Sequence, residues 1–196
     1  MDIGLLVLRI VVGLLVAGHG AQKLFGWFEG PALAGTTGMM ESLGYRPGRP
    51  WALMAALGEF VGGLLMLFGF LNPLGPIGVM AVMTTAIGRA HWGKPIWVTS
   101  GGGELPLTNF AVAVAIGAAG PGLYSLDYAW GTSLPSSWAL IAFVVVAIVT
   151  IAGIAASSQA THRPQAPAQQ AETERERVSE PVSLRQQETR TDITES

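Results

Sequence analysis

The chain has 196 residues, half of them hydrophobic and only 12% charged, with a mean hydropathy of +0.45. Soluble domains carry about a quarter charged residues, so an ordinary water-soluble fold is disfavoured. A net charge of −2 gives no bulk attraction to nucleic acid, and the lack of cysteine removes disulfides, thiol catalysis, iron–sulfur ligation and CxxC redox chemistry from this chain.

Apolar runs of about 20 residues are long enough to cross ~30 Å of hydrocarbon. Five are present: Ile3–Leu24, Trp51–Leu71, Leu74–Ala90, Leu105–Ala119 and Ser136–Ala156. The first lacks the positive leader and small-residue cleavage pattern of a signal peptide and reads as a retained span. Between the first two runs, Gly35–Gly44 carries Met39, Met40 and Leu43 at helical spacing, which suits either a short interfacial helix or a loop. Asn72-Pro73 reads as an N-cap followed by proline in the first helical position. Gly101-Gly102-Gly103-Glu104 lacks the Lys-Ser/Thr of a phosphate loop and suits a flexible entry into the fourth span. Pro106 falls in the first turn of that span, Gly120-Pro121-Gly122 stops it, and Pro135 opens the fifth. No ten-residue alternating strands occur, which argues against a β-barrel.

From Ser157 to Ser196 the composition changes to Arg, Glu, Gln and Thr with Pro164, Pro167 and Pro181. Such a segment buries too little apolar surface to offset ordering and is expected to be a disordered tail, with Glu172–Arg177 suited to a transient helix at most. Loop cations (Lys23, Arg46, Arg49, Arg89, Lys94 and the tail arginines) all fall on one face of a five-span arrangement. The positive-inside rule makes that face cytoplasmic, with the N-terminus outside and the C-terminus inside a bacterial plasma membrane.

Ionisable groups inside a span are costly and usually face the bundle. Here they are Arg9, His19 and Lys23 in span one, Glu59 in span two, Arg89 at the end of span three with His91 at its boundary, and Glu104 with the polar Asn109 at the start of span four. At 100° per residue Arg9, Gly13, Val16, Gly20 and Lys23 share one stripe with His19 beside it, and Glu59, Gly62, Gly63 and Met66 share another. Gly58 and Gly62 are spaced as small-xxx-small for close helix approach. Antiparallel packing brings Glu59 to a depth near His19, with Arg9 farther off but long. The expectation is one polar pocket toward the cytoplasmic face, formed by Arg9, His19, Lys23, Glu59, Arg89, His91, Glu104 and Asn109. Six of them also have a plain structural reading: snorkelling for Lys23 and Arg89, an aromatic belt for His91 (with Trp92 and Trp97), a structural pair for Arg9 and Glu59, and packing for His19. Haem between two histidines fits poorly because His91 sits at a boundary, and no spacing resembles a zinc site.

Gly18-His19-Gly20-Ala21-Gln22-Lys23-Leu24-Phe25-Gly26, the Gly35–Gly44 element, Glu59 followed by Gly62-Gly63-Leu64-Leu65, Gly103-Glu104-Leu105 and Gly120-Pro121-Gly122-Leu123-Tyr124-Ser125-Leu126-Asp127 occur in that order. Together they resemble the DoxX family of bacterial membrane proteins over about Leu5–Asp127. The resemblance implies a four-helix membrane core, with members tied to thiosulfate:quinone oxidoreduction and to membrane oxidoreductase complexes in oxidative-stress and thiol homeostasis. The matched family positions are His19, Lys23, Glu59, Glu104 and Asp127, the last of which suits a turn cap. The fold expected is therefore an all-α polytopic membrane bundle: a four-helix core (1–130), an additional transmembrane helix (131–156) and a disordered cytoplasmic tail (157–196). The leading function is a membrane subunit, more non-catalytic than catalytic, working with soluble redox proteins and touching quinone at His19, Glu59 and Glu104. A proton-coupled or small-molecule transporter and a scaffold recruiting partners through its tail are the alternatives. Homo-oligomerisation stays open.

Overall fold

The computed structural model describes residues 2–132 and 134–161. The described residues are helical, without strands, and form a membrane bundle. The elements run α1 (Asp2–Phe25), a short 3-10 turn (Trp27–Glu29), α2 (Ala32–Ser42), α3 (Gly48–Phe68), α4 (Leu74–Thr85) continued by a π turn (Ala86–His91), a second 3-10 turn (Val98–Ser100), α5 (Glu104–Ala119), α6 (Leu126–Trp130) and α7 (Ser136–Thr161). Three helices, α1, α3 and α7, are by themselves long and apolar enough to cross a bilayer; α5 is a shorter apolar helix. The α4 helix with its π turn runs unbroken from Leu74 to His91, about 27 Å at helical rise.

The centre of the bundle is the seam between antiparallel α1 and α3, and it exists because both faces are made of small residues. A Cβ on Gly13 would lie 2.8 Å from the Leu67 backbone, one on Gly63 2.5 Å from Ala17 N, and one on Gly20 would collide with Phe60. Lipid tails are as apolar as leucine, so close backbone approach supplies the packing that water would drive in a soluble protein. Arg9, Gly13, Val16 and Gly20 of the α1 stripe are buried in this seam, as are Glu59, Gly63 and Met66 of α3. Gly58 and Gly62 serve a second interface: Gly62 packs on Gly75 and Val79 of α4, and Gly58 on Val82. Met66, Val79, Val16, Ala113 and Ile116 complete the core.

Several local expectations change. The Gly35–Gly44 element is a helix, α2, laid against α1 and α3 with Thr36 and Met40 buried. The α3 helix ends at Phe68, three residues early, because Gly69 takes a left-handed conformation (φ 59°). Asn72 is not the cap of α4; Pro73 holds that position, and the Asn72 N–H is taken by Asp127 Oδ2 at 2.9 Å. The glycine run before α5 is a closed turn rather than a flexible lead-in, since Glu104 Oε2 accepts from Val98 N at 3.0 Å and Glu104 N donates to Ile96 O at 2.9 Å. Helix α7 continues past Ala156 to Thr161, where Ser157 and Ser158 hydroxyls bond back to the carbonyls of Ile154 and Ala155. The tail from His162 onward, with the Glu172–Arg177 segment, lies outside the described residues.

Candidate functional site

Lys23 stands in the last turn of α1, one turn beyond the glycine that lets α1 touch Phe60. That proximity carries its ammonium to Glu59: Nζ lies 2.6 Å from Oε1. The Glu59 side chain is 4% exposed and the Lys23 side chain 21%, and this is the one salt bridge among the described residues. The second carboxylate oxygen, Glu59 Oε2, is buried with no hydrogen-bond partner. Helix α2 closes over the pair, with Thr36 Oγ1 donating to Lys23 O (3.2 Å) and Ala32 O (2.8 Å). A buried ion pair is seldom worth much net stability, because desolvation offsets the attraction, whereas removing one partner strands the other. The arrangement therefore does little that apolar packing would not do for the fold. It does hold a carboxylate with one oxygen committed to an ammonium and one free to accept a proton or a hydrogen bond.

Arg9 lies on the same stripe of α1, fourteen positions earlier and so about 21 Å away along the axis. Its surroundings differ in kind. The Nε donates to Met66 O (3.2 Å), Nη1 to Pro121 O (2.6 Å), and Nη2 to Leu67 O (3.2 Å) and Tyr124 O (3.0 Å). The Leu67 carbonyl is one that the end of α3 leaves without an intrahelical donor, and Met66 O is shared with Gly69 N at 3.2 Å. Asp127 completes this end, accepting from Leu71 N and Asn72 N at 2.9 Å each, while its own N–H donates to Gly69 O. Arg9 is 2% exposed and bound to backbone on three sides, so it ties α1, the end of α3 and the loop after α5 together. The expected approach of Arg9 to Glu59 does not occur: carbonyls at the end of α3 and in the loop after α5 satisfy the guanidinium.

Residues 4–92, from α1 through the π turn, match the DoxX family model. That segment is similar to the DoxX family of membrane proteins and covers 89 of the 196 residues. No curated protein and no solved structure matches it. The matched segment holds Arg9, His19, Lys23, Glu59, Arg89 and His91. It stops before Glu104 and Asp127, short of the Leu5–Asp127 span over which the motifs suggested resemblance.

Within and beyond the DoxX segment the remaining polar residues are dispersed. His19 is exposed, and its Nδ1 lies 3.0 Å from Gln22 Oε1. Gly20 occupies the contact with Phe60, so His19, one residue earlier, is turned some 100° off the seam and does not meet Glu59. Arg89 Nη2 donates to Leu43 O at 2.8 Å, and its Nε is buried without an acceptor. His91 Nδ1 lies 2.9 Å from Gly101 O, and Glu104 is engaged with Val98. Asn109 is half-buried on α5. Of the eight residues expected in one pocket, only Lys23 and Glu59 meet as side chains. Tyr45, absent from that expectation, is 2% exposed at the foot of α3 against Trp51, with ring centroids 5.1 Å apart. Burial pushes its phenol pKa up, offset in part by Ser157, Arg89 and Thr85. A tyrosine beside a loop proline carries no periodic signal that would mark it as buried.

Proposed function

We propose that this DoxX-like protein is a membrane subunit of an oxidoreductase complex, and that the Lys23–Glu59 pair is its working site. The observation that carries the reading is the buried carboxylate with one unpartnered oxygen, held beside an ammonium in a bundle that gains little stability from either. Embedded ionisable groups of this kind suit proton handling that accompanies electron transfer. A chain without cysteine carries out no thiol chemistry, so any sulfur step belongs to a soluble redox partner. Quinone enters the reading as the lipid-soluble electron carrier that such a complex reduces, with proton uptake assisted at Glu59. The proposed setting is a bacterial plasma membrane, N-terminus outside. It places the Lys23 end, with Arg46, Arg49, Arg89 and Lys94, on the cytoplasmic side by the positive-inside rule. In this reading 1–130 form the DoxX core, 131–156 add a further span, and the C-terminal tail faces the cytoplasm.

The test is purification from native membranes followed by mass spectrometry of bound proteins and lipid-soluble ligands. The reading expects a soluble redox protein and quinone to co-purify, and deletion of the chain to lower resistance to oxidative stress. Neither co-purifying species, together with unchanged resistance, would overturn it.

A further inference from the structure

A cleft of about 470 Å³ lies between α3, α4 and α7, lined by Met54, Leu57, Gly78 and Val82 from the core and by Val145 and Val149 from α7. Its volume falls in the range of ligand sites, about 300–1,000 Å³. Its walls are apolar along their length, and Met54 and Leu57 of α3 are among the exposed residues that open toward lipid. The polar character is confined to one end. Tyr45 lines that end, 2% exposed, its hydroxyl buried without a hydrogen bond of good geometry although Ser157 and Thr85 stand near it. Arg89 lies one turn beyond Thr85, which also lines the cleft, and close enough to Tyr45 to act on its phenol electrostatically. The guanidinium spends Nη2 on Leu43 O, keeps a buried Nε without an acceptor, and has no carboxylate within salt-bridge distance among the described residues. Arg46 and Arg49, both exposed, follow Tyr45 in the chain at the same end.

Two buried donor atoms, a half-buried cation lacking an anion and an apolar slot leading away from them specify a complementary molecule. It must carry an anionic acceptor group joined to a long apolar chain. We propose that this cleft holds an anionic phospholipid, with its phosphate against Arg89, an ester oxygen at Tyr45 and one acyl chain along α7. Basic recesses between spans are the usual place for such headgroups. The proposal stands on the geometry of the cleft and is independent of the redox reading at Lys23 and Glu59. It gives α7 a role: the helix supplies one wall of a lipid site that the other helices leave open.

The full chain is placed in nanodiscs made from equal parts of phosphatidylcholine and phosphatidylglycerol, released into mild detergent and weighed by native mass spectrometry. Selective retention of one phosphatidylglycerol per chain is expected. Arg89→Gln should lower that retention about tenfold, the scale of one lost charge-assisted hydrogen bond, and Arg89→Lys should restore part of it. Val145→Trp, which fills the cleft far from the donors and sits on a half-exposed position, should lower it comparably while leaving the helical circular dichroism unchanged. Equal retention of the two lipids, retention unchanged in both Arg89→Gln and Val145→Trp, or occupation of the cleft by a neutral prenylated molecule would each overturn the proposal.

Discussion

Arg9 and Lys23 sit on one stripe of one helix, both in the seam with α3, yet their neighbours give them different work. Arg9 meets four backbone carbonyls from two separate segments and has Asp127 close by. Backbone oxygens neither titrate nor leave, so the Arg9 end is a chemically closed joint. Lys23 meets one carboxylate, and that carboxylate keeps an unpartnered oxygen. A buried charge in a membrane protein is often taken as a sign of function. Here the type of partner, and not the burial, separates the closed joint at Arg9 from the pair we propose as the working site.

The largest effect separating the two ends should come from Arg9→Met. Interhelical hydrogen bonds in membrane bundles average ~0.6 kcal/mol, so losing four should cost about 2–3 kcal/mol of unfolding free energy in mixed detergent micelles. An unchanged unfolding midpoint would show that the joint at Arg9 is idle. Next comes a double-mutant cycle on Lys23→Met and Glu59→Gln. Each single change strands one member of a buried pair. The double variant should therefore be more stable than the sum of the singles predicts by about 1–2 kcal/mol. Additive costs would mean that the ion pair does not form. Asp127→Asn weakens two bonds to N–H groups at the Arg9 end and should cost about 1 kcal/mol by the same assay. The smallest effect is on pH dependence. The Tyr45 pKa is raised by burial from about 10. Its contribution to stability is therefore whole below pH ~10 and is lost as pH climbs through the raised value. Tyr45→Phe should flatten that alkaline slope, measurable by thermal unfolding between pH 9 and pH 11.

The positions of the apolar helices were legible in hydropathy because a bilayer imposes a length on apolar runs, but not all their limits: α3 stops at Phe68 and α7 runs on to Thr161. The α1 and α3 seam was legible too, since Arg9, Gly13, Val16 and Gly20 recur at helical spacing and glycine has few other reasons to recur on one face of an apolar helix. The pairing inside the seam was harder to read. Depth alone pointed Glu59 to His19, with Arg9 farther off, and only the contact of Gly20 with Phe60 fixes the rotation that brings Lys23 to it instead. Arg9 found backbone partners in a loop more than a hundred residues away, a contact with no signature in side-chain patterning. The joining of Tyr45, Thr85 and α7 around a cleft, with Arg89 one turn beyond it, was equally hidden. A helix such as α7, apolar all round and without charge, gives no stripe from which to infer its neighbour.

The comparison of the two ends is tested most directly by expressing Arg9→Met and Glu59→Gln side by side in host cells lacking the chain, with membrane abundance and oxidative-stress resistance measured together. The account predicts that Arg9→Met loses protein and that resistance falls only in step with it, whereas Glu59→Gln, itself less abundant because it strands Lys23, loses far more resistance than its abundance explains. Resistance in Glu59→Gln that falls only in step with its abundance would contradict the assignment of function to the Lys23–Glu59 pair.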